Sequence, residues 1–245
     1  MQRLALRVTF ALVGLGGCSW LSGLDDLGPI PEGAGGAAAG GTSSVGGLGG
    51  RGDGGMGDGG APPGCDLPSE TFEGSYAADV WEPWGHDQDA SSGVLVLSWP
   101  ALATAGAGLI TQDSYDLRGC AIHFELTEPP SEPGVQAFFY ARVPASTADR
   151  VGFRVFNGKL FFSLRVADSE QSGSNITFDP VQHRWLRLRH ASGKVFWDTS
   201  SDGQTWTERV DALEPPFDLG TVELHLGGFQ AVGIASSVAF DNIGP

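Results

Sequence analysis

Apolar and polar residues alternate in short bursts along the last three-quarters of the chain. Ile122, Phe124 and Leu126 are separated by His123 and Glu125, the two-residue period of a strand with one buried face. Val151, Phe153 and Val155 repeat the pattern. Leu160, Phe162, Leu164 and Val166 set it against Phe161, Ser163 and Arg165, and Val222, Leu224 and Leu226 alternate with Thr221, Glu223 and His225. The runs Val94 to Leu97 and Gln136 to Val143 are more heavily apolar, which predicts strands toward the sheet centres. Asn157-Gly158 joins two alternating runs, and both residues tolerate the positive φ of a type I′ hairpin. Gly193-Lys194, between Trp185 to His190 and Val195 to Thr199, predicts a second tight return. Pro129-Pro130 and Pro215-Pro216 interrupt any regular element. No stretch of about 12 residues keeps a 3.6-residue apolar period. Roughly a dozen short strands without a helix predict an all-β fold of two antiparallel sheets packed face to face.

Before these strands the composition is different. Half of the positions from Gly33 to Gly64 are glycine, which lose much backbone entropy on ordering and bury no side chain. The expectation is a flexible coil of roughly 30–35 Å end to end for about 32 residues. At the start of the chain, Leu4 to Leu15 form a short apolar run preceded by Arg3 and containing Arg7, as in a cleavable export signal. The chain is expected to divide into a signal at 1–17, a tether at 18–64 and a folded domain at 65–245.

Leu15-Gly16-Gly17-Cys18 resembles the lipobox of bacterial lipoproteins, in which the cysteine is acylated and becomes the first mature residue. The resemblance implies a lipid anchor on Cys18 and a membrane-tethered protein. Ser19 stands where an acidic residue retains many such proteins in the inner membrane, so the outer membrane or cell surface is implied. Gly16 departs from the less compact residue the family favours there. In an oxidising compartment Cys65 and Cys120 are expected to form a disulfide, the alternative being two free thiols. Removing Arg3 and Arg7 takes the formal charge from -15 to -17. Such an acidic chain excludes binding to nucleic acid and to anionic lipid surfaces by charge.

His183-Arg184-Trp185-Leu186-Arg187-Leu188-Arg189 is followed by Gly193-Lys194-Val195-Phe196-Trp197-Asp198, and then by Asp202-Gly203 and Trp206. The segment is similar to a signature of concanavalin A-like, or laminin G-like, jelly-roll domains. Val238 to Ile243 resembles the last strand of that fold, which lies beside the N-terminal one. The resemblance implies a jelly-roll sandwich and leaves function open, because the fold hosts lectins, adhesion domains, glycoside hydrolases and structural modules. Ser200 to Trp206 also resembles the Asp-box hairpin of sialidases, one residue short and in a single copy, and predicts a structural hairpin over which Trp206 folds.

For catalysis, glycoside hydrolysis needs two carboxylates about 5–9 Å apart. The laminarinase-like string Glu-x-Asp-x-x-Glu does not occur, and Glu125 and Glu128 would not point together. Glu223 and His225 share a strand face and could support acid–base chemistry, although paired polar residues on a solvated face are the more ordinary arrangement. Gly-x-Ser-x-Gly, zincin spacing and a phosphate-binding loop are absent from the sequence. Sugar recognition needs flat aromatic surfaces, and Trp81, Trp84 and His86 form a candidate cluster in a segment expected to be a loop. Phe138 and Tyr140 are candidates on an outward sheet face. The resemblance to jelly rolls, which often hold one structural ion, makes Asp87, Asp89 and Asp241 candidate calcium ligands if the terminal strands come together, the alternative being acid-rich surface loops without metal. The function expected is binding of extracellular carbohydrate or a surface protein without catalysis. The alternatives are a glycoside hydrolase of the same fold and a purely structural envelope protein.

Overall fold

The computed structural model describes residues 65–146, 148–171 and 174–245. The export signal, Cys18 and the glycine tether lie outside the described residues. Fifteen strands, numbered in chain order, form two sheets. The eight-stranded sheet runs β1 (Trp81–Gly85), β4 (Ala105–Thr111), β14 (Glu223–Gln230), β6 (Val135–Arg142), β7 (Arg150–Phe156), β8 (Lys159–Val166) and β10 (Asn175–Thr177), with β9 (Ser169–Glu170) paired to β8. The seven-stranded sheet runs β13 (Thr207–Glu208), β12 (Lys194–Ser200), β11 (Trp185–Ala191), β5 (Ala121–Glu128), β15 (Ser236–Gly244), β3 (Leu95–Trp99) and β2 (Gln88–Asp89). Neighbouring strands pair antiparallel throughout, and no helix occurs among the described residues.

The alternating runs face as predicted. Ile122, Phe124 and Leu126 turn inward from one sheet; Val151, Phe153, Val155, Leu160, Phe162 and Leu164 turn inward from the other. Phe124 meets Phe139 at 5.0 Å, Phe153 at 6.0 Å and Phe240 at 6.2 Å, so four rings from both sheets fill the middle layer. The indole of Trp197 on β12 crosses that layer and donates to the carbonyl of Gly152 on β7 at 2.8 Å. A disulfide joins Cys65 to Cys120. It ties the first described residue to the entry of β5.

Asn157 and Gly158 take φ of 48° and 69°, the type I′ geometry that turns β7 into β8. Three expectations shift. The second tight turn is Ser192-Gly193, with φ of 52° and 77°, and Lys194 already pairs with Ala191. Strand β3, expected near a sheet centre, is followed outward only by the two-residue β2, because its apolar residues are covered by the opposite sheet instead of by further strands. Trp81 and Trp84 lie on a strand, and the backbone of residues 81–85 pairs with β4 along its whole length.

Candidate functional site

The site is built on the outward face of the eight-stranded sheet. Parity decides what reaches it. Residues 82 and 84 on β1, 136 to 142 in steps of two on β6, and 223 and 225 on β14 all face away from the core, as do Arg150, Gly152 and Arg154 on β7. Glycines open the surface between them. A β-carbon on Gly106 would lie 2.6 Å from Cζ3 of Trp84, and one on Gly227 would lie 2.8 Å from Cζ of Phe138. Both rings therefore lie down over bare backbone. Trp84 stacks on Phe138 at 6.3 Å between centroids, and Phe138 stacks on Tyr140 at 5.0 Å. The result is an aromatic strip running from β1 to β6 across four strands.

Beside that strip stands a polar cluster. His225 is the cross-strand partner of Tyr140, and Glu223 is the partner of Arg142. Arg142 donates to Glu223 at 2.6 Å, and Nε2 of His225 lies 3.5 Å from the same carboxylate. The three side chains are only 12 to 21 % exposed, so this is not a solvated surface pair. Burial and the nearby Arg142 push His225 down to about 4, so its imidazole is neutral at pH 7. Its buried Nε2 has no hydrogen-bond partner among the described residues. Burial also raises Tyr140, which stays a protonated phenol. Glu170, whose carboxylate accepts from Ser163 and from the Leu164 N–H, is raised by burial as well.

The register sets Glu223, Arg142, Arg150, Arg165 and Glu170 in one row across five strands. Four strand spacings put the backbones of the two glutamates roughly 19 Å apart, too far for a glycosidase carboxylate pair. A closer pair exists on the outer face of the other sheet. Asn242 Nδ2 donates to Glu125 at 2.7 Å and to Asp241 at 3.0 Å. Glu125 is 3 % exposed and also accepts from Arg184, so its carboxylate is held as a structural group is, with the half-buried Asp241 beside it.

Of the expected sugar-binding residues, Trp84, Phe138 and Tyr140 come together on one face. His86 follows β1 at the rim of the same sheet, where its N–H donates to the Gly106 carbonyl at 3.1 Å. Trp81 does not join them. It is 1 % exposed in the core, because three residues along a strand reverse the facing of Trp84. Asp87, Asp89 and Asp241 are not assembled into a shared shell: Asp89 accepts the Ser91 N–H at the edge of the seven-stranded sheet, while Asp241 stands beside Glu125. Among the described residues no three His, Cys, Asp or Glu side chains converge as metal ligands. The Ser200–Trp206 hairpin is structural as expected. Asp202 accepts the N–H groups of Thr205 and Gln204, bonds that hold its carboxyl well below the usual carboxylate range, and Trp206 lies over Arg187 at 4.3 Å. Sequence reasoning missed Arg142, Arg150 and Arg165. Their signal was available, since all three fall on the outward positions of predicted strands.

Neither the protein-family models nor the curated proteins give a match to this chain. Solved structures do. A prokaryotic β-1,3-1,4-glucanase (lichenase) derived from a mouse hindgut metagenome is 14% identical, with a TM-score of 0.57 over 72% of this chain and 96% of that one. The Bacillus licheniformis β-glucanase is 9% identical, with a TM-score of 0.57 over 72% of this chain and 95% of that one. A legume lectin-like domain from Entamoeba histolytica is 9% identical, with a TM-score of 0.52 over 67% of this chain and 88% of that one. Glycosidases, a laminarinase catalytic domain and a transglycosylase are among the further structures that share this arrangement. They overturn the expectation of a domain that binds without catalysis, and with it the expectation that the chain is not an enzyme, in favour of the alternative: several of the solved structures it resembles are glycan-cleaving enzymes. The chain folds as an all-β concanavalin A-like jelly-roll sandwich of two antiparallel sheets.

Proposed function

We propose that the domain is a glycan-cleaving enzyme of the glycoside hydrolase type, acting on a saccharide laid along the aromatic strip of the eight-stranded sheet. One observation carries the reading: a buried, neutral His225 with an unpartnered Nε2 stands between Glu223 and Tyr140, directly beside stacked rings suited to pyranose faces. In this scheme water attacks the anomeric carbon and passes a proton to His225. Glu223 stabilises the imidazolium that forms, and the phenol of Tyr140 gives its proton to the departing glycosidic oxygen. One C–O bond forms and one breaks, and return of the proton from His225 to the phenolate of its cross-strand partner Tyr140 restores both groups. The dyad takes the place of a carboxylate pair, which Glu223 and Glu170 are too far apart to form.

Release of new reducing ends from a panel of neutral and charged polysaccharides tests the reading. The expected result is cleavage that falls at least 100-fold, on the order of the usual general acid–base contribution, in both His225→Ala and Glu223→Gln. Cleavage that survives in both folded variants, or no cleavage across the panel, overturns it.

We further propose that the chain is exported and held at the outer membrane or cell surface by acyl chains on Cys18, with 18–64 as the tether and 65–245 as the working domain. The support is the lipobox-like Leu15-Gly16-Gly17-Cys18 and the glycine-rich composition that follows it. Mass spectrometry of membrane fractions should find an acylated Cys18 as the first residue. A mature chain beginning elsewhere without acylation ends this part of the proposal.

A further inference from the structure

The scheme above leaves a set of buried cations unused. Arg142, Arg150 and Arg165 are in register on β6, β7 and β8, and Arg154 follows on the same face of β7. These are four of the nine arginines that follow Cys65, gathered on one sheet face of a chain with a net charge of -15. Arg165 is only 7 % exposed. The Nε atoms of Arg142, Arg150 and Arg165 are all buried without a hydrogen-bond partner among the described residues.

The nearby acceptors do not account for these groups. Arg142 spends its terminal nitrogen on Glu223, and Arg165 spends one on the Asp168 carbonyl. Glu170 is occupied by Ser163 and by the backbone of Leu164. The Arg150 side chain makes no hydrogen bond among the described residues; its guanidinium lies 5.0 Å over the ring of Tyr140. Three adjacent guanidinium groups repel one another and lose hydration on burial, and unmade donors add to that cost. An anion placed among them would answer all three deficits at once. Guanidinium forks match the planar oxygens of a carboxylate and the oxygens of a sulfate ester.

We infer that this face takes an acidic saccharide, whose carboxylate or sulfate group sits among Arg142, Arg150 and Arg165 while a sugar ring lies on Phe138 and Tyr140. The inference rests on the reading of the same face as a glycan-cleaving site, and names its substrate class. The stacked rings argue for a sugar-borne anion over a free inorganic one, because a small ion has no face to lay on them.

Calorimetric titration of the full chain with three probes tests it: a uronic-acid oligosaccharide, a sulfated galactan oligosaccharide and a neutral β-glucan oligosaccharide of equal length. Binding of either charged probe at least 10-fold tighter than the neutral one is expected, and the arm that binds identifies carboxylate or sulfate. Arg150→Gln should remove that preference, bringing the charged and neutral probes to the same affinity. Arg150→Lys should restore part of it, since it returns the charge without the fork. If the glutamine variant does not fold, the wild-type chain still decides: charged-probe affinity should fall steeply between 50 and 500 mM salt. Equal affinity for all three probes, or a folded Arg150→Gln chain that keeps the preference, overturns the inference. Cleavage of the neutral polymer dependent on His225, with no charged preference, would keep the enzyme reading and sink this one. Arginine-dependent binding of a charged probe without product would do the reverse.

Discussion

Trp197 and Trp99 provide a matched test of how the two sheets are held together. Both indoles are buried, at 0 and 2 % exposed, and both lie in the seven-stranded sheet. They differ at one atom. Nε1 of Trp197 donates to the Gly152 carbonyl across the core, whereas Nε1 of Trp99 has no partner among the described residues. Replacing either by phenylalanine removes about 40 Å³ of ring, worth ~1 kcal/mol if the cavity stays open. In Trp197→Phe the loss of the donor also strips the buried Gly152 carbonyl of a bond, adding about 1–3 kcal/mol. In Trp99→Phe an unmade donor disappears, which offsets the cavity by a similar amount. Trp197→Phe should therefore cost about 2–4 kcal/mol while Trp99→Phe stays within about 1 kcal/mol of wild type. Urea unfolding followed by far-UV circular dichroism reads the difference. With a slope of ~2 kcal/mol per molar urea, the two midpoints should separate by about 1 M. Midpoints within about 0.2 M of each other would show that the cross-sheet bond contributes nothing and refute the reasoning.

Three further outcomes are expected. Replacing Cys65 and Cys120 by serine frees a loop with a sequence separation of 55 and should destabilise the domain, by about 4 kcal/mol on the chain-entropy estimate, lowering the unfolding midpoint as reductant does for wild type. His225 is held at about 4 in the folded chain, below its unfolded value near 6.5, so the unfolded state binds the proton first as pH falls. The stability of wild type relative to His225→Gln should thus be constant above about pH 6.5 and decline toward pH 4; a difference flat across that window contradicts the assignment. Gly227→Ala would set a β-carbon 2.8 Å from Phe138 Cζ and 2.9 Å from the Ala107 carbonyl. It should cost about 1–3 kcal/mol by thermal melting and lower cleavage, since Phe138 must leave the strip.

The fold was legible wherever side chains alternate. Strands β5, β7, β8 and β14 follow directly from their two-residue period, and the Asn157-Gly158 turn from its chemistry. Strand β4 was not legible, because Ala105-Gly106-Ala107-Gly108 carries almost no pattern: its glycines exist to admit Trp84, a relation only the paired sheet reveals. The Trp81 and Trp84 cluster failed for a related reason. Read as a loop, the two rings could share a site; as a strand they must part. Glu223 and His225 were visible as same-face neighbours, but their withdrawal from solvent was not, since strands distant in sequence surround them. The arginines are scattered between positions 142 and 165, and only the register of three strands brings them into one row.

That register gives the Asn157-Gly158 hairpin a second consequence. Asn157 Oδ1 also accepts the Gly134 N–H at 3.0 Å, so the turn is fastened to the start of β6 as well as closing β7 on β8. A slip of one residue on either strand would exchange its inward and outward sets, sending Arg154 or Arg165 into the apolar layer in place of Val155 or Leu164. The misaligned hairpin would drive a cation into the apolar layer between the sheets, whereas the aligned one keeps its arginines on the outer face. The same charges that mark the outer face thus act as a discriminator among competing pairings while the chain folds.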